Sequence, residues 1–219
     1  MKLVNLGCGP NAKLGHWLDY DGSWNAWINL FPTVLRRVTR AAYALSGQKA
    51  FDYPRHVRYL NVNRRFPFKS ETVDGIYASH VWEHLYYENA RKATHECHRV
   101  LRHGGIVRLV VPDLRVYCER YIAFIGTDTA AMELHEALMY RKLRREKSAL
   151  LSVYNGLTEF HSHKFMYDEA ALIRLMREAG FLDPKVKGYL ESALPHLEEV
   201  EFPERMLDGN GFAVEAVKD

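Results

Sequence analysis

Apolar positions along this chain recur at two spacings, and the two take turns. Residues 2–6, Lys-Leu-Val-Asn-Leu, form a short β-prone run that breaks at Gly7-Cys8-Gly9-Pro10-Asn11. A strand feeding a glycine-rich turn is the expected start of an α/β fold whose turn faces a ligand. A second run, residues 16–21, ends in Asp21 before Gly22, and only about six residues separate it from the turn. That is too short for a full crossover helix, so any helix there is vestigial. Residues 24–47 carry Trp24, Trp27, Ile28, Leu30, Val34, Leu35, Val38, Ala42 and Leu45 at helical spacing, which predicts a helical insertion ending at Gly47.

Val57 to Val62 reads as a third strand. Val73 to Ala78 reads as a fourth, running into His80-Val81-Trp82-Glu83-His84-Leu85. Ala90, Ala93, Cys97, Val100 and Leu101 share one face of a helix over 88–102, with Gly104-Gly105 as its stop. Ile106 to Val111 is an apolar strand ended by Pro112-Asp113, and a long basic helical region follows over 114–150. Asp168 is placed to cap a helix over 169–179 that turns Leu172, Leu175, Met176 and Ala179 inward and stops at Gly180. Val186 to Leu190 and Gly211 to Val217 are the last two strands, joined by an acidic connection containing proline. Strands alternating with helices predict a mainly parallel sheet, and no repeat or linker divides the chain.

Composition narrows this only slightly. The 219 residues are 47% hydrophobic and 26% charged, enough for a real core. A net charge of +3 does not point to nucleic acid, which is not an expected partner. The run Arg141, Lys142, Arg144, Arg145, Lys147 reads as a solvated helix face that also leaves an anionic partner open. Three widely spaced cysteines, Cys8, Cys97 and Cys118, with no CxxC pair, predict neither a disulfide framework nor a structural zinc site. No signal peptide and no run of 18 apolar residues is visible, so a cytoplasmic location without a membrane span is expected.

Candidate chemistry concentrates where strands end. Gly7 and Gly9 permit unusual backbone angles and a close approach of the turn to a ligand. Ala12 stands where a dinucleotide turn of the GxGxxG kind places its third glycine, which disfavours a nicotinamide-dependent oxidoreductase without excluding one. Asp21 is the preferred acceptor for ribose hydroxyls; Asp19 shares its face of the strand and is the neighbouring candidate.

Four stretches carry a family resemblance. LGCGPN at 6–11 resembles motif I of class I S-adenosylmethionine-dependent methyltransferases. VDGIYASHVWEHL at 73–85 resembles their fourth strand and its loop, and HECHRVLRHGGIVRLVVPDL at 95–114 their next helix and fifth strand. HKFMYDEAALIRLMREAGF at 163–181 resembles their late helix. The chain is most similar to small methyltransferases with a shortened first crossover, often associated with surface polysaccharides.

The resemblance implies a Rossmann-like sheet of about seven strands, mostly parallel with an antiparallel last strand, helices on both faces, and S-adenosylmethionine as cofactor. It implies one domain over 1–219 with helical insertions near 24–50 and 115–160 that cap the acceptor. Asn5, Gly7, Cys8, Gly9, Asp21, Asn61, Ser79 and His80 are the implied cofactor residues. Asn5 and Asn61 stand where the family places acids. The reaction expected is methyl transfer to a small molecule or glycan, at oxygen, since no Asn/Asp-Pro-Pro-Tyr stretch follows strand four. A hydroxyl acceptor must lose a proton, and His80 or His84 suits that task. His161, His163, Lys164 and Tyr167 are expected in the acceptor pocket, with Pro112 and Asp113 near the cleft; no metal is expected. Two rivals stand beside this reading. One is a degenerate domain that binds without catalysis. The other is a zinc peptidase, because HVWEH fits H-x-x-E-H.

Overall fold

The structure is a computed structural model that describes residues 1–28, 30–38, 52–138, 162–207 and 211–219. Seven strands form one sheet: β1 (Leu3–Leu6), β2 (Trp17–Asp21), β3 (Arg58–Tyr59), β4 (Val73–Ser79), β5 (Leu101–Val111), β6 (Lys185–Lys187) and β7 (Phe212–Val217). Their order is β3-β2-β1-β4-β5-β7-β6. The pairs from β3 across to β5 are parallel, and β7 runs antiparallel to both β5 and β6. This is the Rossmann-like sheet with a reversed last strand that the sequence predicts.

The helices are α1 (Trp24–Ile28), α2 (33–38), α3 (Tyr87–Val100), α4 (Leu114–Ala123), α5 (Ala130–Ala137) and α6 (Glu169–Glu178). Side chains alternate along each strand, so the sheet sorts them onto two faces. One face carries Val4, Leu6, Ile76, Ala78, Val107, Leu109 and Val214, which pack under α3 and α6. Both helices were legible for the same reason. Ala90, Ala93, Cys97 and Val100 bury one side of α3, and Leu172, Leu175 and Met176 one side of α6. Asp168 caps α6 by accepting from the Ala171 N–H at 2.7 Å, and Gly180 closes it at φ +102°.

The other face is covered differently. The first crossover is too short to hold a helix, and the β6–β7 connection takes its place. Leu194, Leu197, Val200 and Met206 lie on Leu3, Trp17, Tyr77, Val110 and Ala213. Three polar ties hold this cover down. The Trp17 indole donates to the His196 carbonyl at 2.7 Å. The Arg108 guanidinium, wholly buried in mid-strand, donates to both oxygens of buried Glu201 at 2.7 and 3.0 Å. The same guanidinium reaches the Gly188 and Glu191 carbonyls at 2.7 and 3.2 Å.

Four expectations need correction. The third strand spans only Arg58–Tyr59, because beyond it Leu60 bonds back to the Asp21 carbonyl and Asn61 opens a turn. The helical insertion expected over 24–47 is, in its described part, two short helices with a break between α1 and α2, and Leu30, Val34, Leu35 and Val38 of its apolar stripe are exposed. Gly104-Gly105 does not stop α3, which ends at Val100 as buried Leu101 pulls the chain straight into β5. The glycines instead lie where the β4–β5 register shifts. The helical region after residue 113 is broken over 124–129, between α4 and α5. The basic run at 141–147, and with it much of the insertion placed at 115–160, lies outside the described residues.

Candidate active site

The ends of β1, β2 and β4 meet at one edge of the sheet. The glycine turn after β1 is built inward: the Gly7 and Cys8 N–H groups both donate to the Tyr20 carbonyl, at 2.8 and 3.2 Å. The Gly9 N–H donates to Asp21 Oδ2 at 3.0 Å, while Asp21 Oδ1 accepts from the Ser23 N–H at 2.8 Å. These amides therefore shape the turn rather than wait for a ligand, a correction to the simplest reading of the motif. Asp21 joins the turn to the end of β2, and each of its oxygens keeps accepting capacity beyond these bonds. Gly22 stacks on the Leu60–Asn61 backbone, which brings Asn61 beside Asp21, although the Asn61 side chain is occupied in accepting from the Asn63 N–H.

The two glycines differ in their reasons. A Cβ on Gly9 (φ +72°) would meet nothing within 4 Å, so this side of the turn is open. A Cβ on Gly7 (φ +73°) would lie 2.2 Å from Val81 Cγ2, because the turn after β1 presses on the loop after β4. Gly7→Ala adds a left-handed backbone penalty of about 1–3 kcal/mol to overpacking of about 1–3 kcal/mol. We expect thermal unfolding to show a loss of about 2–6 kcal/mol; a loss below 1 kcal/mol would mean that the two loops are not packed this way.

Beside the turn lies a cleft lined by Asn5, Gly7, Cys8, Asp19, Tyr77, Ser79, Glu199, Phe202 and Arg205, among others. Asn5 and Asp19 are register partners across β1 and β2, and Asn5 Nδ2 donates to Asp19 Oδ1 at 2.7 Å. The carboxylate that motif I lacks at position 5 thus stands one strand over. Burial raises the Asp19 pKa, against the Asn5 hydrogen bond and the His56 ring 3.2 Å away. Burial, with Asp21 and Asp19 nearby, pushes the Cys8 thiol well up and keeps it neutral. Ser79 Oγ is buried without a hydrogen-bond partner, and Asp19 Oδ2 has only the His56 ring beside it. Glu199, Phe202 and Arg205 come from the β6–β7 cover and carry no motif; only the structure brings them here.

His80 turns the chain sharply out of β4, at φ +56°. Its Nε2 donates to the Arg205 carbonyl at 3.1 Å, and its Nδ1 lies 3.3 Å from Glu83 Oε1. Trp82, Glu83 and His84 form one 3₁₀ turn, pinned because the buried Trp82 indole donates to Thr94 Oγ1 of α3 at 2.9 Å. The H-x-x-E-H stretch therefore lies on a strand end and a single turn, without the two-histidine helix face of a zinc peptidase. Glu83 is 0% exposed. Its carbonyl accepts from the Lys164 and Phe165 N–H groups at 2.7 and 3.2 Å, which draws His163 onto the same spot. The His84 and His163 rings stand 5.0 Å apart, tilted by 57°. Burial lowers the His163 pKa, with Glu83 opposing and His84 reinforcing the shift.

The structure thus gathers His80, His84 and His163 around Glu83, a residue expected only as part of the peptidase alternative. Lys164 is adjacent, bonded to Ser162 and 5.6 Å from the Tyr86 ring centroid. Tyr167 is wholly buried in the core below, where burial raises its pKa, and it bridges to Asp113. His161 lies outside the described residues. Next to the cluster, Tyr117, Arg120, Tyr121, Phe124, Glu133 and Leu134 of α4, α5 and their join line a solvent-open groove.

A parallel sheet reversed only at its last strand, a glycine turn tied to a strand-end acid, and a histidine-bearing loop after β4 give a Rossmann-like fold with a ligand-facing sheet edge. Residues 4–109 match the methyltransferase domain family. Among solved structures, the chain is similar to a methyltransferase of this kind from Thermotoga maritima (16% identity, TM-score 0.49, 100% of this chain and 82% of that one). It is also similar to ones from Methanosarcina mazei (17%, 0.48, 99% and 92%) and Archaeoglobus fulgidus (14%, 0.48, 99% and 86%). A comparison with curated proteins found no match. Among the described residues no helix is long and apolar enough to cross a membrane.

The cofactor is S-adenosylmethionine, and the residues present fit it. The cleft offers the buried Ser79 hydroxyl, which makes no hydrogen bond, and beside it stand an open side of the turn at Gly9 and an acid, Asp21, at the end of β2.

Proposed function

We propose that this protein moves the methyl group of S-adenosylmethionine to a hydroxyl oxygen of a small molecule or glycan. The observation that carries this reading is Glu83, buried between histidines at the point where the cofactor cleft ends in Ser79 and His80. The cofactor supplies an electrophilic methyl on sulfur; the chain must position an oxygen behind it and deal with that oxygen's proton. Asp21 is assigned to the ribose and Asn61 to the adenine side. Asn5, Gly7, Cys8, Gly9, Ser79 and His80 complete the cradle.

The two candidate proton-handling residues divide by their hydrogen bonds. His80 is tied through Nε2 to the Arg205 carbonyl and turns Nδ1 toward Glu83 Oε1 at 3.3 Å, so it stands as a support beside Glu83. His84 faces the Ser162 carbonyl through Nδ1 at 3.3 Å, which leaves Nε2 to carry the lone pair toward the cluster. We assign proton handling to His84 and charge compensation to Glu83 and His80. The groove of α4 and α5, with three aromatic rings, an arginine and two glutamates, is the proposed acceptor approach. It fits an amphipathic ring that needs both stacking and hydrogen bonds. The helical segments after β2 and β5 are the proposed cap over it. His163 and Lys164 are assigned to its inner end, and Tyr167, wholly buried, supports them from the core.

Titration calorimetry with S-adenosylhomocysteine, with NADH as control, tests the cofactor half. We expect binding of the first alone, weakened about 100-fold in Asp21→Ala, which loses two charge-assisted bonds of about 1.5 kcal/mol each. No binding by a folded sample would leave a domain that has lost its cofactor. A screen of hydroxylated acceptors for S-adenosylhomocysteine release tests the acceptor half, and turnover only on amines would overturn the oxygen assignment.

A further inference from the structure

We infer that Glu83, His84 and His163 bind one divalent metal ion of the zinc class, against the expectation from sequence that the site needs none. Three observations converge. Neither oxygen of the wholly buried Glu83 carboxylate has a hydrogen-bond partner. A buried carboxylate with no hydrogen bond, faced only by the His80 and His84 rings at 3.3 and 3.9 Å, is costly for a fold to hold, and a cation is the direct remedy. His163 is 6% exposed, and its Nδ1 is buried without a hydrogen-bond partner. Finally, one ligand atom each from Glu83, His84 and His163 lie within 4.8 Å of one another, with His84 Nε2 3.9 Å from Glu83 Oε1. Shifts of side-chain torsion close those gaps onto a shared ion.

The surroundings have the form of a supported metal site. A ligating histidine usually gives its other N–H to a carbonyl or carboxylate, which fixes the tautomer and aims the lone pair. His84 does this with Nδ1 toward the Ser162 carbonyl. Glu83 is itself steadied by His80 Nδ1 at 3.3 Å, and His80 in turn by the Arg205 carbonyl. The turn is fixed by Trp82 on Thr94, and His163 is fastened to it by the Lys164–Glu83 backbone bond. Two imidazoles and one carboxylate suit zinc and its first-row neighbours better than magnesium or calcium, which prefer oxygen ligands. Three protein ligands leave a fourth position for water or an acceptor oxygen.

The ion's use rests on the O-methyl-transfer reading, whereas its binding does not. An acceptor hydroxyl in the fourth position becomes more acidic and releases its proton to water. Its oxygen then forms the new C–O bond as the S–CH₃ bond of the cofactor breaks, and that electron pair stays on sulfur. His84 in this arrangement acts through the ion rather than by taking the proton itself.

The test is calorimetric titration of chelator-treated full-length protein with zinc, and with magnesium as counter-probe, followed by metal analysis of the saturated sample. We expect one zinc per chain, and affinity at least about 100-fold weaker in Glu83→Gln and in His163→Gln, with S-adenosylhomocysteine binding retained in both. His84→Gln is the third variant should either of these fail to fold. His196→Gln removes the surface group of His16, His196 and Glu199, which also gathers donor atoms, and is expected to leave the tight site unchanged. Zinc bound equally by Glu83→Gln and His163→Gln, or magnesium preferred over zinc, overturns the inference. Absence of zinc binding in protein that still binds S-adenosylhomocysteine also overturns it and leaves the methyltransferase reading standing.

Discussion

Arg108→Met is expected to lower stability by about 3–5 kcal/mol, seen as a fall in Tm of roughly 6–20 °C for a chain of this size. The reason is what the substitution leaves behind. Arg108 is wholly buried, and its partner Glu201 is almost so. Glu201 accepts from Arg108 Nε and Nη2, and from the Leu190 N–H at 2.6 Å. Glu215 stands 3.6 Å from Nη1 on the other side. Removing the guanidinium strands the Glu201 carboxylate in the core, while methionine fills the volume and makes no bond to the Gly188 or Glu191 carbonyls. The double variant Arg108→Met/Glu201→Leu removes the orphan and should recover a large part of the loss, since a buried pair replaced by apolar groups is often near neutral. If the single variant loses less than 1 kcal/mol, water reaches this pair and the cover over it is not closed.

The second large effect concerns activity. His84→Gln should lower kcat by a factor of about 10²–10⁴ on an accepted hydroxyl substrate, because either route to the acceptor's proton, directly to His84 or through an ion His84 holds, loses its central group. S-adenosylhomocysteine affinity should stay within a factor of about two, because His84 stands beyond the cleft residues. His80→Gln separates roles. It leaves the three proposed ligands in place and removes the imidazole that faces Glu83 Oε1 at 3.3 Å, so its loss of turnover should come with a smaller change in metal affinity than that of His84→Gln. Unchanged turnover in both histidine variants removes the cluster from the chemistry.

These expectations draw unequally on sequence and structure. The glycine turn, Asp21, the β4 loop and the Asp168 cap were legible because each is a local signal, with strand, turn and acid falling within a few residues. The HVWEH stretch was visible too, but its partner was not. His163 is placed against Glu83 by backbone bonds from Lys164 and Phe165, across a separation in sequence that periodicity does not see. Glu199, Phe202 and Arg205 were missed for the same reason: 197–205 reads as an acidic connection, and its role as a cover appears only once the first crossover has left that face bare. One signal was present and unused. Arg108 sits inside the apolar run Ile106–Val111, and an arginine there requires a buried acid somewhere else in the chain. The exposed apolar residues of α2 mark the opposite failure, where helical spacing suggested a packed face that the fold does not provide.

The β6–β7 cover has a consequence for the order in which the protein comes into being. A ribosome that has released residues 1–111 has delivered the glycine turn, Asp21, the histidine loop and every strand of the parallel half. Yet the cleft wall waits for Glu199 to reach His16, His196 to reach Trp17, Glu201 to reach Arg108 and Arg205 to reach His80. Such closures join the two ends of the chain and cost loop entropy before they return contact energy. The nascent chain therefore carries an unpaired Arg108 and a bare apolar sheet face until its last fifth emerges, and this is the interval in which aggregation or chaperone capture would act.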